Sequence, residues 1–347
     1  MKQRQSNFEL LRIQCILLII FVHTTSQINT GLSAFNAEIF NILECISNST
    51  VACFIMISGY FGINFKWEQW MRIIILTTVY GLLAYLAITD FQSISMDGLA
   101  RRVFVVPLYS NWFISCYLIL MLLAPFLNSF SAQCGKQQFQ RLLLIMLVAF
   151  SLVPTFFNSS FGPIISGGGK CLTFIIFSYL TGRYIKLHHD TNISRKKTAI
   201  VFLTTVLLMY SLNHLATILL HKQSKMFSID CSILIYVSAL AIFYFYKSLS
   251  FQSRVINSIA TNVLAVYLLE ESRIFYDLHL THVASHAQSK SLIIYMFILT
   301  VITFTSSIII DKVRILLFGK AEAGFIRVLL QGFRYAGCRL KRLVSCE

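Results

Sequence analysis

From Ile13 to Ala37 the chain carries no Asp, Glu, Lys or Arg, and runs of this kind recur along most of its length. A helix of about 20 mainly apolar residues crosses roughly 30 Å of hydrocarbon. Ten segments meet that requirement, near residues 8–28, 39–63, 70–90, 110–128, 140–157, 170–186, 198–220, 229–247, 257–278 and 291–318. In water such runs have nowhere to go. The chain is 56% hydrophobic and 12% charged, whereas a soluble domain carries about 25% charged residues and needs a wide polar surface. A soluble enzyme and a disordered or fibrous chain are excluded. The expected fold is all-α: a polytopic membrane protein of about ten transmembrane helices. The first run is too long for a cleavable signal peptide and is followed by further spans, so it is read as a retained helix.

The charges follow the expected topology. With the N-terminus inside, 22 of the 29 Lys and Arg fall on the inner side, leaving Arg101, Arg102, Lys170, Lys222, Lys225, Arg273 and Lys290 outside. Cytoplasmic loops carry such an excess, so both termini are expected in the cytoplasm, in a multi-pass protein of the plasma membrane. The net charge of +15 then reports topology and contact with membrane lipids, not a nucleic-acid partner. Residues 1–318 read as the membrane-embedded domain and 319–347 as a basic cytoplasmic tail. In that tail Phe325, Ile326, Leu329, Leu330 and Phe333 alternate with Arg327, Arg334 and Arg339, a pattern suited to an amphipathic helix on an anionic surface. Nine scattered Cys with no CxxC pair read as small buried hydrophobes, not as a disulfide framework or zinc site.

Ionisable groups inside hydrocarbon are costly and mark polar cavities or pathways. Arg12 and His23 sit three helical turns apart on one face of the first span, roughly 16 Å along its axis, and Glu9 lies one turn below Arg12, placed to pair with it. Imidazole suits proton transfer near neutral pH; interfacial anchoring of Arg12 and helix packing by His23 are the structural alternatives. The ninth span carries Glu270, Glu271, Arg273 and Asp277. On a continuous helix Glu270 pairs with Arg273, and Arg273 with Asp277. His23 and Glu270 fall at similar depth, about 20 Å from the inner side, and a carboxylate there would orient the imidazole.

These residues resemble a known pattern. Glu-Leu-Leu-Arg12 followed by ten residues and His23 is similar to the first-span signature of the acyltransferase family 3 membrane proteins. Phe54-Ile-Met-Ile-Ser-Gly-Tyr-Phe61, Asn111-Trp-Phe-Ile-Ser-Cys-Tyr117 with Leu122-Leu-Ala-Pro-Phe-Leu-Asn128, and Ser178-Tyr-Leu-Thr-Gly-Arg183 resemble later segments, in order, from residue 7 to about 280. The resemblance implies transfer of an acyl group, usually acetyl, from cytoplasmic acyl-CoA to a hydroxyl of a cell-surface glycan or its lipid-linked precursor. It makes His23 the catalytic residue, as base or transient acyl carrier, and Arg12 and Arg72 the candidates for binding acetyl-CoA. Two departures stand out. Met71-Arg72 keeps one Arg where the family often has two, and Tyr267-Leu-Leu-Glu270 replaces the common Tyr-Leu-Ile-His, leaving Glu270 as the second candidate catalytic residue. Acyl transfer also needs donors for a developing oxyanion. Ser58, Tyr60, Trp112 and Tyr117 are candidates for that role or for a sugar-stacking face, with helix packing and interfacial belts as the alternative for each.

A transporter or flippase using the Arg12, His23 and Glu270 groups as a polar path is the competing class; no inverted repeat and no paired Gly/Pro-broken spans favour it. A structural partner in a glycan-assembly complex is a third. Ser166-Gly-Gly-Gly-Lys170 imitates a P-loop but lacks its first Gly and its Ser/Thr, and reads as an outer turn. His279, His282 and His286 read as solvated imidazoles of an outer loop, and no metal is expected.

Overall fold

The computed structural model describes residues 4–26, 31–108, 110–157, 167–221 and 224–344, and of these the backbone alone at 25–26, 91, 276–278, 281 and 334–344. Every regular element among them is helical. Seven helical segments are long and apolar enough to cross a membrane: Ser6–Thr24, Ala34–Phe61, Trp67–Ile88, Trp112–Gln133, Lys136–Phe157, Arg195–Leu220 and Leu292–Phe333. The chain is a multi-pass helical membrane protein. The remaining three expected spans are helical but short or interrupted. They correspond to α9 (Leu172–His188), α11 (Ile233–Lys247) and the pair α12 (Arg254–Ala260) and α13 (Val263–Glu271).

The first helix, α1 (Ser6–Ser26), is the centre of the bundle. It packs against α2 (Ala34–Ser47), α3 (Thr50–Phe61), α11, α12, α13 and α15 (Leu292–Val344). Its Phe8, Leu11 and Cys15 enter one apolar cluster with α3 and α11, while Ile13, Ile16 and Ile20 enter another with α6 (Trp112–Gln133) and α13. A helix apolar all round is what such double-sided burial requires. By contrast α10 (Arg195–Leu220) leaves Leu203, Leu207, Leu215 and Leu219 on the outside of the bundle, the side that hydrocarbon would cover.

Two of the quoted segments prove to be the two halves of one crossing. A Cβ on Gly59 of α3 would lie 2.0 Å from the Tyr179 carbonyl oxygen of α9, and one on Gly182 of α9 would lie 2.1 Å from the Met56 carbonyl oxygen. Close backbone approach through small residues is how helices associate where no hydrophobic force separates lipid from protein. Ser58, next to Gly59, is buried, and its hydroxyl donates back to the Phe54 carbonyl of its own helix at 3.2 Å.

Several spans are interrupted. Asn48 and Ser49 form a turn between α2 and α3, and Thr261 and Asn262 one between α12 and α13. Two interruptions therefore fall at Asn residues, and a π-helical stretch at Val148–Leu152 precedes Pro154 in a third span. The Asn side chains take up bonding duties there: Asn48 Nδ2 donates to the Ser228 carbonyl at 2.6 Å, and Asn262 Nδ2 to Asp311 Oδ2 at 2.7 Å. The ninth span also ends earlier than expected. Helix α13 stops at Glu271, and Arg273 adopts φ +65°, the left-handed turn that closes many helices. Arg273 therefore lies outside the continuous helical spacing from which its pairings were expected, and the Asp277 side chain lies outside the described residues.

The last helix runs unbroken to Val344, so the boundary drawn at Phe318 falls inside one helix. Its early extension is tied to α4 (Trp67–Ile88). Tyr80 donates to Asp311 Oδ1 at 2.8 Å, Arg314 pairs with both Asp311 and Glu322, and Glu322 lies 3.3 Å from Arg72 Nε. The Arg334 and Arg339 side chains of the expected amphipathic stripe lie outside the described residues.

The α3–α9 crossing yields a prediction. Gly59→Ala and Gly182→Ala force backbone apart and are expected to cost about 1–3 kcal/mol each, lowering the unfolding midpoint of the detergent-solubilised protein by several degrees. Gly135, whose added Cβ would meet nothing within 4 Å, supplies the control. An unchanged midpoint in both variants would show that the crossing relaxes freely.

Candidate active site

Helix α1 carries His23 near the end opposite the N-terminus, and α13 carries Glu270 on its last turn. The structure brings them together: His23 Nδ1 lies 2.8 Å and 3.0 Å from the two carboxylate oxygens of Glu270. An ionised carboxylate only accepts, so Nδ1 carries the hydrogen and the basic lone pair resides on Nε2. Glu270 is 7% exposed. Glu271 stands behind it, with an oxygen 3.7 Å from the same nitrogen.

One turn before Glu270, the buried Tyr267 donates to Asn111 Oδ1 at 3.1 Å. That same oxygen accepts from the Ile114 amide at 3.0 Å, so Asn111 is the N-cap of α6 and fixes the start of the helix. Trp112 is thereby held beside the site. The Asn-Trp-Phe segment owes its place to this cap, and Tyr267 to the bond with it.

His23 and Trp112 line a cavity of about 350 Å³. Ile16, Ile19, Val51, Phe54, Val263 and Leu264 form its apolar wall, and Lys170, Asp230, Asn48 and Glu44 a polar one. The residues expected at the site divide between cavity and scaffold. Tyr117 stacks on Phe113, ring centres 6.0 Å apart and planes 13° apart. Tyr60 lies with Phe8, Phe61 and Phe243 in an aromatic cluster, and its hydroxyl donates to Asp190 at 2.8 Å. Ser58 is buried and bonds back to the Phe54 carbonyl of its own helix. None of Ser58, Tyr60 and Tyr117 is among the described residues that line the cavity.

The two candidate donor-binding arginines lie apart from His23. Arg12 pairs with Glu9 at 3.2 Å, as the helical spacing predicts. It sits one turn below Ile16, on the helical face that supplies Ile16, Ile19 and His23 to the cavity. Its Nε is buried with no hydrogen-bond partner among the described residues, as is that of Arg183. Arg72 is 56% exposed and engaged by Glu322.

One of the three outer imidazoles departs from expectation. His279 is 2% exposed, with Nε2 2.7 Å from the Thr303 hydroxyl and Nδ1 3.5 Å from that of Thr24. It is a buried bridge between α1, α14 (Tyr276–Ser285) and α15, because the chain there is a helix and not a loop. His282 is exposed.

His23, Glu270 and Glu271 place one ligand atom each within 4.8 Å of one another, a set able to hold a cation. The His23–Glu270 separation of 2.8 Å is that of a direct hydrogen bond; two ligands on a tetrahedral ion at about 2.0 Å stand about 3.3 Å apart.

Sequence reasoning missed Lys170 and Asp230 as cavity residues. Each occupies a loop remote in sequence from His23, and no spacing rule connects them.

A bundle of membrane helices with a half-buried imidazole on a buried carboxylate, beside a largely apolar cavity, defines a multi-pass membrane protein with an ionisable pair at a cavity among its helices. Residues 5–312 match the acyltransferase domain of acyltransferase family 3, and the chain belongs to that family. It is a membrane acyltransferase. No curated protein and no solved structure matches it.

Asp190 gives a pH prediction on the basic face. Burial would raise its carboxyl, but hydrogen bonds from Lys186, Lys247 and Tyr60 outweigh burial and hold it down to about 2, against an ordinary 3.8. The stabilisation is present above pH 3.8 and is lost as pH falls toward about 2. Replacing Asp190 with Asn should flatten the dependence of the unfolding midpoint on pH across that window. A slope equal to the wild type would mean that other carboxylates carry the acid transition.

Proposed function

We propose that the protein is an O-acyltransferase of the plasma membrane, moving an acetyl group from cytoplasmic acetyl-CoA to a hydroxyl of a cell-surface polysaccharide or lipid-linked sugar. The observation that carries this reading is the His23–Glu270 contact on the wall of the cavity, in a chain of the acyltransferase family. Glu270 holds the imidazole in the tautomer whose Nε2 is a base, and stabilises the imidazolium once it forms. The acceptor hydroxyl gives its proton to Nε2 as its oxygen attacks the thioester carbonyl. The tetrahedral oxyanion collapses, the C–S bond breaks, and the CoA thiolate takes the proton from the imidazolium. Atoms and charge balance without a further reactant.

The donor is expected from the basic face. Arg12 and Arg183 each hold a buried Nε without a partner among the described residues, which suits binding of an anionic group, and Arg12 shares the cavity-lining face of α1. Arg72 is the third candidate for the phosphates of acetyl-CoA, in exchange for Glu322. The apolar wall excludes water, which strengthens charge interactions and suppresses hydrolysis of the thioester.

The test is transfer of label from radiolabelled acetyl-CoA to envelope glycans by the purified protein. A general base contributes about 10²–10⁴-fold, so His23→Ala is expected to lose at least 10²-fold in turnover, and Glu270→Gln a large part of that while still binding acetyl-CoA. Intact turnover in His23→Ala would remove the mechanism. Turnover is also expected to survive exhaustive chelation. Loss on chelation, restored by a divalent cation, would reassign His23, Glu270 and Glu271 as a metal site.

A further inference from the structure

Part of the cavity lining, Gly168, Lys170, Ile229 and Asp230, comes from two loops to which the sequence assigned no role. Gly168 and Gly169 adopt φ +69° and +105°, and a Cβ on Gly169 would lie 2.7 Å from the Cys231 backbone nitrogen. The Cys231 amide donates to the Gly168 carbonyl at 3.1 Å. The loop before α11 is pinned again by Asn48 on the Ser228 carbonyl and by Asn213, whose Oδ1 accepts from the Phe227 amide at 3.0 Å and whose Nδ2 donates to the Ser228 hydroxyl at 3.0 Å. Lys170 and Asp230 thus reach the cavity from loops locked to each other and to the bundle.

The charge of this wall selects among ligands. Among the described residues lining the cavity, Lys170 is the sole Lys or Arg, whereas Glu44 and Asp230 both line it. Glu270 and Glu271 add carboxylates around His23, with Arg273 opposing Glu271 in part. Glu44 is partly offset by Lys225 at 2.7 Å. An acceptor bearing a carboxylate or phosphate would meet this excess of negative charge, and desolvated like charges repel strongly. An uncharged ring offers hydroxyls that donate to Asp230 and accept from Lys170, with the Trp112 ring as a neighbouring face.

We propose that Lys170 and Asp230 form the acceptor subsite and that it takes an uncharged sugar ring, not a uronate or phosphorylated one. The inference rests on the reading of the protein as a transferase to a glycan hydroxyl, and it names the acceptor class. The volume of about 350 Å³ lies at the low end of the roughly 300–1,000 Å³ of small-molecule sites, suited to one ring beside a short acyl group.

The test is direct binding, by saturation-transfer NMR on the full chain in detergent micelles. Glucose-, galactose- and mannose-terminated trisaccharides are each compared with the uronate-terminated counterpart. At least one neutral probe is expected to bind, with its uronate at least tenfold weaker; this comparison needs no variant to fold. Lys170→Met and Asp230→Asn should each weaken the neutral probe at least tenfold, and Lys170→Arg should recover most of the loss. Equal or tighter binding of the uronate, wild-type affinity in both variants, or no neutral probe bound would overturn the subsite. Neutral sugar bound as described but never acetylated would remove the transferase reading and leave the subsite standing.

Discussion

A carboxylate removed from water must find a partner, and the centre of this protein is organised by that requirement. Glu270 is 7% exposed and lies on a helix that ends one residue later. A lone buried carboxylate would cost several kcal/mol. Contact with His23 at 2.8 Å offsets that cost and fixes the relative depth of α1 and α13. The Tyr267–Asn111 bond then ties α13 to the first turn of α6. Three helices distant in sequence are set in register around one cavity by two polar contacts, while the apolar clusters on either side of α1 supply the adhesion.

The quoted segments share a resemblance but not a role. Asn111 and Trp112 serve the site, one as a helix cap and one as cavity wall. Gly59 and Gly182 serve the α3–α9 crossing, where each excludes a side chain from the other helix's backbone. Tyr60 anchors the basic face through Asp190, within a cluster that includes Lys186 and Lys247. A recurring segment in a membrane bundle therefore reports close packing as readily as chemistry, because close approach of two helices restricts residue choice as severely as a substrate does.

Arg72 illustrates the same division. The sequence presents it as a basic residue at the head of a span, ready for phosphate. In the folded chain it faces Glu322 from beyond the matched family region, and that carboxylate also pairs with Arg314. The contact exists because α15 continues as a helix past Phe318 and carries its carboxylate back to α4.

The class of solvent and the helical class of the fold follow from the order of residues alone. Repeated apolar runs leave no other way to satisfy backbone groups in hydrocarbon, and the sparse charges within them single out Arg12, His23 and Glu270. Periodicity along one helix sufficed for Arg12 with Glu9; similar depth made His23 and Glu270 candidates for a contact, and the packing of α1 on α13 makes it. Features that depend on helix ends and on contacts between distant loops emerge only on folding. The left-handed turn at Arg273 releases that residue from the helix, His279 is folded inward against Thr303, and Lys170 and Asp230 meet in one wall through the Gly168–Cys231 contact. Helical periodicity repeats every few residues and says where side chains face along one element. It carries no record of which loop closes over which helix, and that packing is what turns a polar stripe into a chamber.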